Sequence, residues 1–117
     1  MSLLEKQFIF NKNVTKLAEF LENNNIAYKR GEVLRTKEQQ QIYINQGKSS
    51  TYNSQHINGL AIDINLFRKD KNGKWEFVND VDFYKKAGDY WKSLNGNNRW
   101  GGDWKSPVDP YHFEMRD

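Results

Sequence analysis

The chain contains two histidines, and each lies near a carboxylate. His56 falls in Ser54-Gln55-His56-Ile57-Asn58-Gly59-Leu60-Ala61-Ile62-Asp63. His112 falls in Asp109-Pro110-Tyr111-His112-Phe113-Glu114. Two imidazoles and a carboxylate, with a further carboxylate in reserve, are the donor set of a catalytic zinc site whose fourth position stays open for water. The chain has no cysteine, which excludes a structural thiolate site. His56 and Asp63 are seven positions apart, not on adjacent helical turns, so this is not the His-Glu-x-x-His arrangement. The donors must converge from separate elements.

Strands are the natural carriers. In residues 60–67, Leu60, Ile62, Ile64 and Leu66 point one way and Ala61, Asp63 and Asn65 the other. In residues 111–115, Tyr111, Phe113 and Met115 alternate with His112 and Glu114. One face of each strand is apolar and belongs to the core. The other carries Asp63 or His112. Gly59 lets the chain bend between His56 and Asp63, and Ala61 keeps the site face open. A histidine or aspartate taken singly has an ordinary reading as a hydrogen-bonded or solvated residue; the coincidence of all three on one sheet face favours the metal.

The remaining elements frame these strands. Residues 11–23 read as a helix with Val14, Leu17, Ala18 and Leu21 inward, capped by Asn11 or Asn13 and stopped by Asn23-Asn24-Asn25. Residues 26–34 read as extended. Thr36-Lys37-Glu38-Gln39 has the form of a capping box opening a short helix to about residue 46. The polar run 48–55 is a loop. Lys71-Asn72-Gly73-Lys74 is a hairpin turn returning through Trp75 and Phe77. Asn79 or Asp80 caps a helix to residue 94, with Phe83, Ala87, Trp91 and Leu94 as its buried stripe, and residues 95–98 form a turn. The order predicts an α+β fold: a small antiparallel sheet with helices on one face.

Three further places could carry chemistry. Asp109, three residues before His112, is placed to move a proton between a water and a leaving amine; as Asp-Pro it could equally just start a turn. Arg35 could bind a substrate carboxylate or an oxyanion, or form a surface ion pair. In Arg99-Trp100-Gly101-Gly102-Asp103-Trp104, the two tryptophans could wall a groove or anchor the core around a tight bend.

Length and composition set bounds. At 117 residues the expectation is one domain, 1–117, with no separate second domain. Aromatics make up 15% of the chain, so the core must lean on Phe, Tyr and Trp. The net charge of +3 is interspersed, and no basic block of a nucleic-acid-binding arm appears, so no nucleic-acid partner is expected. No stretch is long and apolar enough to span a bilayer, and the N-terminus lacks the apolar region of a signal peptide.

Together these segments resemble the bacterial and phage zinc peptidases of the D-alanyl-D-alanine carboxypeptidase and L-alanyl-D-glutamate endopeptidase family. The family's Ser-x-His-x-x-Gly-x-Ala-x-Asp segment is matched at every marked position by residues 54–63. Its later acid-x-x-His segment is matched by Asp109 to His112. Trp100-Gly101-Gly102-Asp103-Trp104 looks like the phage endolysin branch, and Leu34-Arg35-Thr36 like the family's arginine segment. The resemblance implies the hedgehog-like α+β sheet and one zinc ion held by His56, Asp63 and His112. It implies Asp109 as general base and then acid, Arg35 beside the oxyanion, and Ser54 and Trp104 at the substrate. Aspartate rather than glutamate at position 109 favours the endopeptidase branch, acting on the peptidoglycan stem peptide. The same resemblance leaves room for a D-alanyl-D-alanine carboxypeptidase, or for a zinc-containing wall-binding module without turnover. The expected setting is a monomeric phage or prophage endolysin, made in the bacterial cytoplasm and reaching the cell wall through a holin-type pore.

Overall fold

The computed structural model describes residues 1–31, 55–105 and 107–117. The capping box at Thr36, the short helix after it, Arg35 and Ser54 lie outside the described residues.

Helix α1 spans Leu3–Asn23. It begins eight residues earlier than the spacing of apolar residues predicts, and its cap is Ser2, not Asn11 or Asn13. Ser2 Oγ accepts from the Glu5 N–H at 3.1 Å, and Glu5 Oε1 accepts from the Ser2 N–H at 3.2 Å. This reciprocal pair satisfies two otherwise unmet donors. The first turns hide from a periodicity reading because Leu3, Leu4 and Phe8 are apolar yet exposed. From Phe10 onward the expected stripe is buried: Val14, Leu17, Ala18 and Leu21.

Strand β1 (Ala27–Arg30) follows, then β2 (Ala61–Lys69), β3 (Trp75–Phe77), helix α2 (Val81–Leu94), β4 (Asn98–Trp100), a 3-10 turn (Gly101–Asp103) and β5 (His112–Met115). The sheet is antiparallel throughout, in the order β1-β2-β5-β4, with β3 pairing with the far end of β2. That pairing, Phe67 with Phe77 and Lys69 with Trp75, carries β2 two residues past its predicted end. Gly73 closes the hairpin at φ 78°, in the left-handed region that glycine enters at little cost. Asp70 Oδ1 accepts the N–H of Asn72 and of Lys74 in the same turn.

Asp80 caps α2 through the Asp82 N–H. The buried stripe of α2 is rotated from the predicted one. Tyr84, Ala87, Gly88 and Trp91 are buried, while Phe83 and Leu94 pack at the margin. Tyr84 is drawn inward by its hydroxyl, which donates to the Val78 carbonyl at 2.6 Å and accepts from the Leu66 N–H at 2.9 Å. Strand β4 replaces part of the predicted turn. Asn98 is buried there, donating from Nδ2 to the Trp91 carbonyl.

Among the described residues, helices α1 and α2 lie on one face of the sheet. The core joins Phe10, Val14, Leu17 and Leu21 of α1 and Tyr84 and Trp91 of α2 to Ile62, Ile64, Leu66, Phe113 and Met115 of the sheet. The opposite face is left to other residues.

Candidate metal centre

Cross-strand register builds the site. Asp63 of β2 pairs with His112 of β5, so both side chains rise from the face away from the helices. Two pairs further along, on the same face, Ala61 lies opposite Glu114. His56 reaches the same place from a turn just before β2. That turn is closed by the Leu60 N–H on the Gln55 carbonyl at 2.8 Å and bends at Gly59, φ 68°. Gln7 of α1 braces it, donating from Nε2 to the Asn58 carbonyl at 2.8 Å.

His56 Nε2 lies 3.4 Å and His112 Nδ1 3.6 Å from the same oxygen, Asp63 Oδ1. The three donor atoms fall within 4.8 Å of one another. Both separations are too long for an ordinary N–H···O hydrogen bond. They suit a shared tetrahedral ion, whose donors at about 2.0–2.1 Å would stand about 3.3 Å apart. Both imidazoles are buried, at 2% and 6% exposure. The residues therefore fit one zinc ion, with nitrogen and oxygen donors and a side left open.

The electrostatics agree with a cation-binding cluster. Burial opposes the charge on Asp63, but the His112 and His56 imidazoles outweigh it and hold the carboxyl well below the usual range. Burial likewise opposes the His112 imidazolium, yet Asp63 and Glu114 push its pKa up to about 9 in the metal-free protein. Asp109 goes the other way. Burial raises its pKa, and Asp63 adds to that, while His112 and His56 pull against it. A carboxyl raised toward neutrality suits a group that must take up a proton and release it.

The position of Asp109 is set by Gly101. The Gly101 carbonyl accepts the N–H of Asp109 and of Trp104, and the His112 N–H returns to the Asp109 carbonyl. A β-carbon at Gly101 would collide with that carbonyl oxygen and press on His112 Cβ. The two tryptophans of this segment part company. Trp100 is a core residue, 2% exposed, with its indole N–H on the Pro110 carbonyl at 2.9 Å. Trp104 lies over the His112 ring with centroids 4.9 Å apart, and is the one that can meet a ligand.

Of the predicted site residues, His56, Asp63, His112, Asp109 and Trp104 gather at one place; Arg35 and Ser54 lie outside the described residues. The sequence reading missed Glu114 and Arg99 as parts of this site. Glu114 Oε1 lies 2.7 Å from His112 Nε2, and Arg99 pairs with Glu114 Oε2. The signal for Glu114 was present, since residues 112 and 114 share a strand face; the signal for Arg99 needs β4.

Fold and cluster together define an α+β domain with a candidate mononuclear metal centre on the open face of its sheet. A family model described as D-alanyl-D-alanine carboxypeptidase matches residues 47–115, and the chain belongs to that family. It is 38% identical over 100 residues to the L-alanyl-D-glutamate peptidase of Listeria phage A118, a match covering 86% of this chain and 34% of that protein. The chain thus spans about a third of the length of that relative. The crystal structure of the Serratia marcescens L-Ala D-Glu endopeptidase ChiX aligns with a TM-score of 0.61 at 24% identity, over 78% of this chain and 68% of that one. That likeness bears out the predicted fold.

Proposed function

We propose that this chain is the catalytic domain of a zinc-dependent peptidoglycan peptidase that cleaves the L-Ala–D-Glu bond of the stem peptide, in a phage or prophage setting. The observation that carries the chemistry is the convergence of His56, Asp63 and His112 beside a half-buried Asp109. The choice of bond rests on the 38% identity to the phage L-alanyl-D-glutamate peptidase.

In this reading His56 Nε2, His112 Nδ1 and an Asp63 oxygen hold the zinc. Bound there, zinc supplies Lewis acidity that activates water and polarises the scissile carbonyl. Asp109 takes the proton from the attacking water and passes it to the departing amine nitrogen of D-Glu, so the acid ends each cycle as it began. Trp104 walls the open side next to His112 and places the stem peptide. Arg35 would offset charge on the carbonyl oxygen, and Ser54 would touch the substrate, roles that rest on their places in the family segments. Among the described residues no helix is long and apolar enough to cross a membrane.

The family description favours a second reading, a carboxypeptidase that removes terminal D-alanine. Mass spectrometry of digested peptidoglycan separates the two. Endopeptidase action leaves L-Ala on the muramic acid and frees peptides that begin with D-Glu. Carboxypeptidase action frees D-alanine and leaves the stem attached. Release of D-alanine alone would overturn the proposed bond, and an intact substrate in the presence of zinc would overturn peptidase activity.

A further inference from the structure

Glu114 is a buried carboxylate, 4% exposed, on the site face of β5. Burying a carboxylate is costly unless its oxygens are paired. Both are. Oε1 faces His112 Nε2 at 2.7 Å, and Oε2 takes the Arg99 guanidinium from the cross-strand position on β4. On the other side Glu114 is opposite Ala61, whose small side chain leaves room for it. The result is a line of three side chains, Arg99, Glu114 and His112, ending at the nitrogen opposite the one that faces Asp63.

Which imidazole nitrogen carries the proton follows from what the other one meets. A carboxylate at Nε2 keeps the proton there and leaves the lone pair on Nδ1, the atom 3.6 Å from Asp63 Oδ1. We propose that Glu114 is a positioning residue for the metal centre. It fixes His112 as the Nε2–H tautomer with Nδ1 free to ligate, and Arg99 fixes Glu114. This rests on the metal-site reading above, and it adds why a buried acid and a half-exposed arginine stand behind the second histidine.

The test is zinc affinity by competition with a chelator, beside long-range proton–nitrogen NMR of the His112 ring in the metal-free protein, taken at a pH above the raised pKa of the ring so that it is neutral and carries a single proton. In the nearly isosteric Glu114→Gln, Arg99 donates to the single amide oxygen. The NH2 group then faces Nε2 and drives the ring proton to Nδ1. Zinc affinity should fall about 10–100-fold, the usual cost of losing such an outer partner, and the ring spectrum should move toward Nδ1–H. Adding Arg99→Met frees the amide oxygen to accept from Nε2–H and should restore part of the affinity. A residue that served only to hold the fold would give no such recovery. Glu114→Gln binding zinc within threefold of wild type, while His112→Ala binds none, would overturn the positioning role and leave the metal site standing. A wild-type protein that takes up no zinc would overturn the metal reading itself.

Discussion

The two faces of β2 and β5 are built on opposite principles. Toward the helices stand Ile62, Ile64, Leu66, Phe113 and Met115; away from them stand Asp63, His112 and Glu114. The first face gains from summed apolar burial, where no single atom decides the outcome. The second carries charged groups withdrawn from water, each held by a named partner atom. Substitutions on the first face should therefore cost stability, and those on the second should cost metal and activity.

The largest separation is expected at Asp109. Asp109→Asn removes the proposed proton carrier and should lower kcat about 10²–10⁴-fold. The same change should raise the melting temperature of the metal-free protein at pH 7. Burial holds the folded pKa of Asp109 above its unfolded value, so the favourable contribution is fully present below the unfolded pKa. It is lost as pH rises through the folded one, and above that the buried charge is a cost the amide avoids. The gain should shrink as the pH falls through the carboxyl range. A destabilised Asp109→Asn at pH 7 would break the contrast between the faces.

Phe113→Ala, on the core face of the same strand as His112, should cost about 3–5 kcal/mol in chemical denaturation. Its folded fraction should still bind zinc. Next comes Gly101→Ala, which presses on the Asp109 carbonyl and His112 Cβ. A shift of the catalytic acid by an ångström can cost roughly 10²-fold in kcat/KM, with a smaller loss of stability. The smallest effect is expected at Trp104. Trp104→Ala should raise KM up to about tenfold, the scale of one aromatic contact, and leave the melting temperature nearly unchanged. Trp100→Ala should do the reverse, because its indole is core.

The contrast also explains what could be read in the sequence. β2 was legible because the alternation over residues 60–67 leaves one consistent face, and Asp63 interrupts the polar side of that pattern at a useful place. His112 was legible for the same reason. β4 was not, since three residues carry no period and its burial depends on Asn98 reaching the Trp91 carbonyl. The first turns of α1 were masked by exposed Leu4 and Phe8. Trp100 and Trp104 have the same residue type and flank the same glycines. Only the packing of Trp100 under Pro110 and of Trp104 over His112 tells them apart. The Arg99–Glu114 pair was hidden because it joins strands fifteen residues apart.

The central claim is that one zinc ion at His56, Asp63 and His112 makes this chain a peptidase. The most direct measurement strips the protein of metal, titrates zinc back, and follows release of peptides beginning with D-Glu from purified peptidoglycan. The account predicts no release at the start and a rise that ends at one equivalent, with none at any zinc level for Asp63→Ala. Full release from the metal-free protein, or from Asp63→Ala, would contradict it.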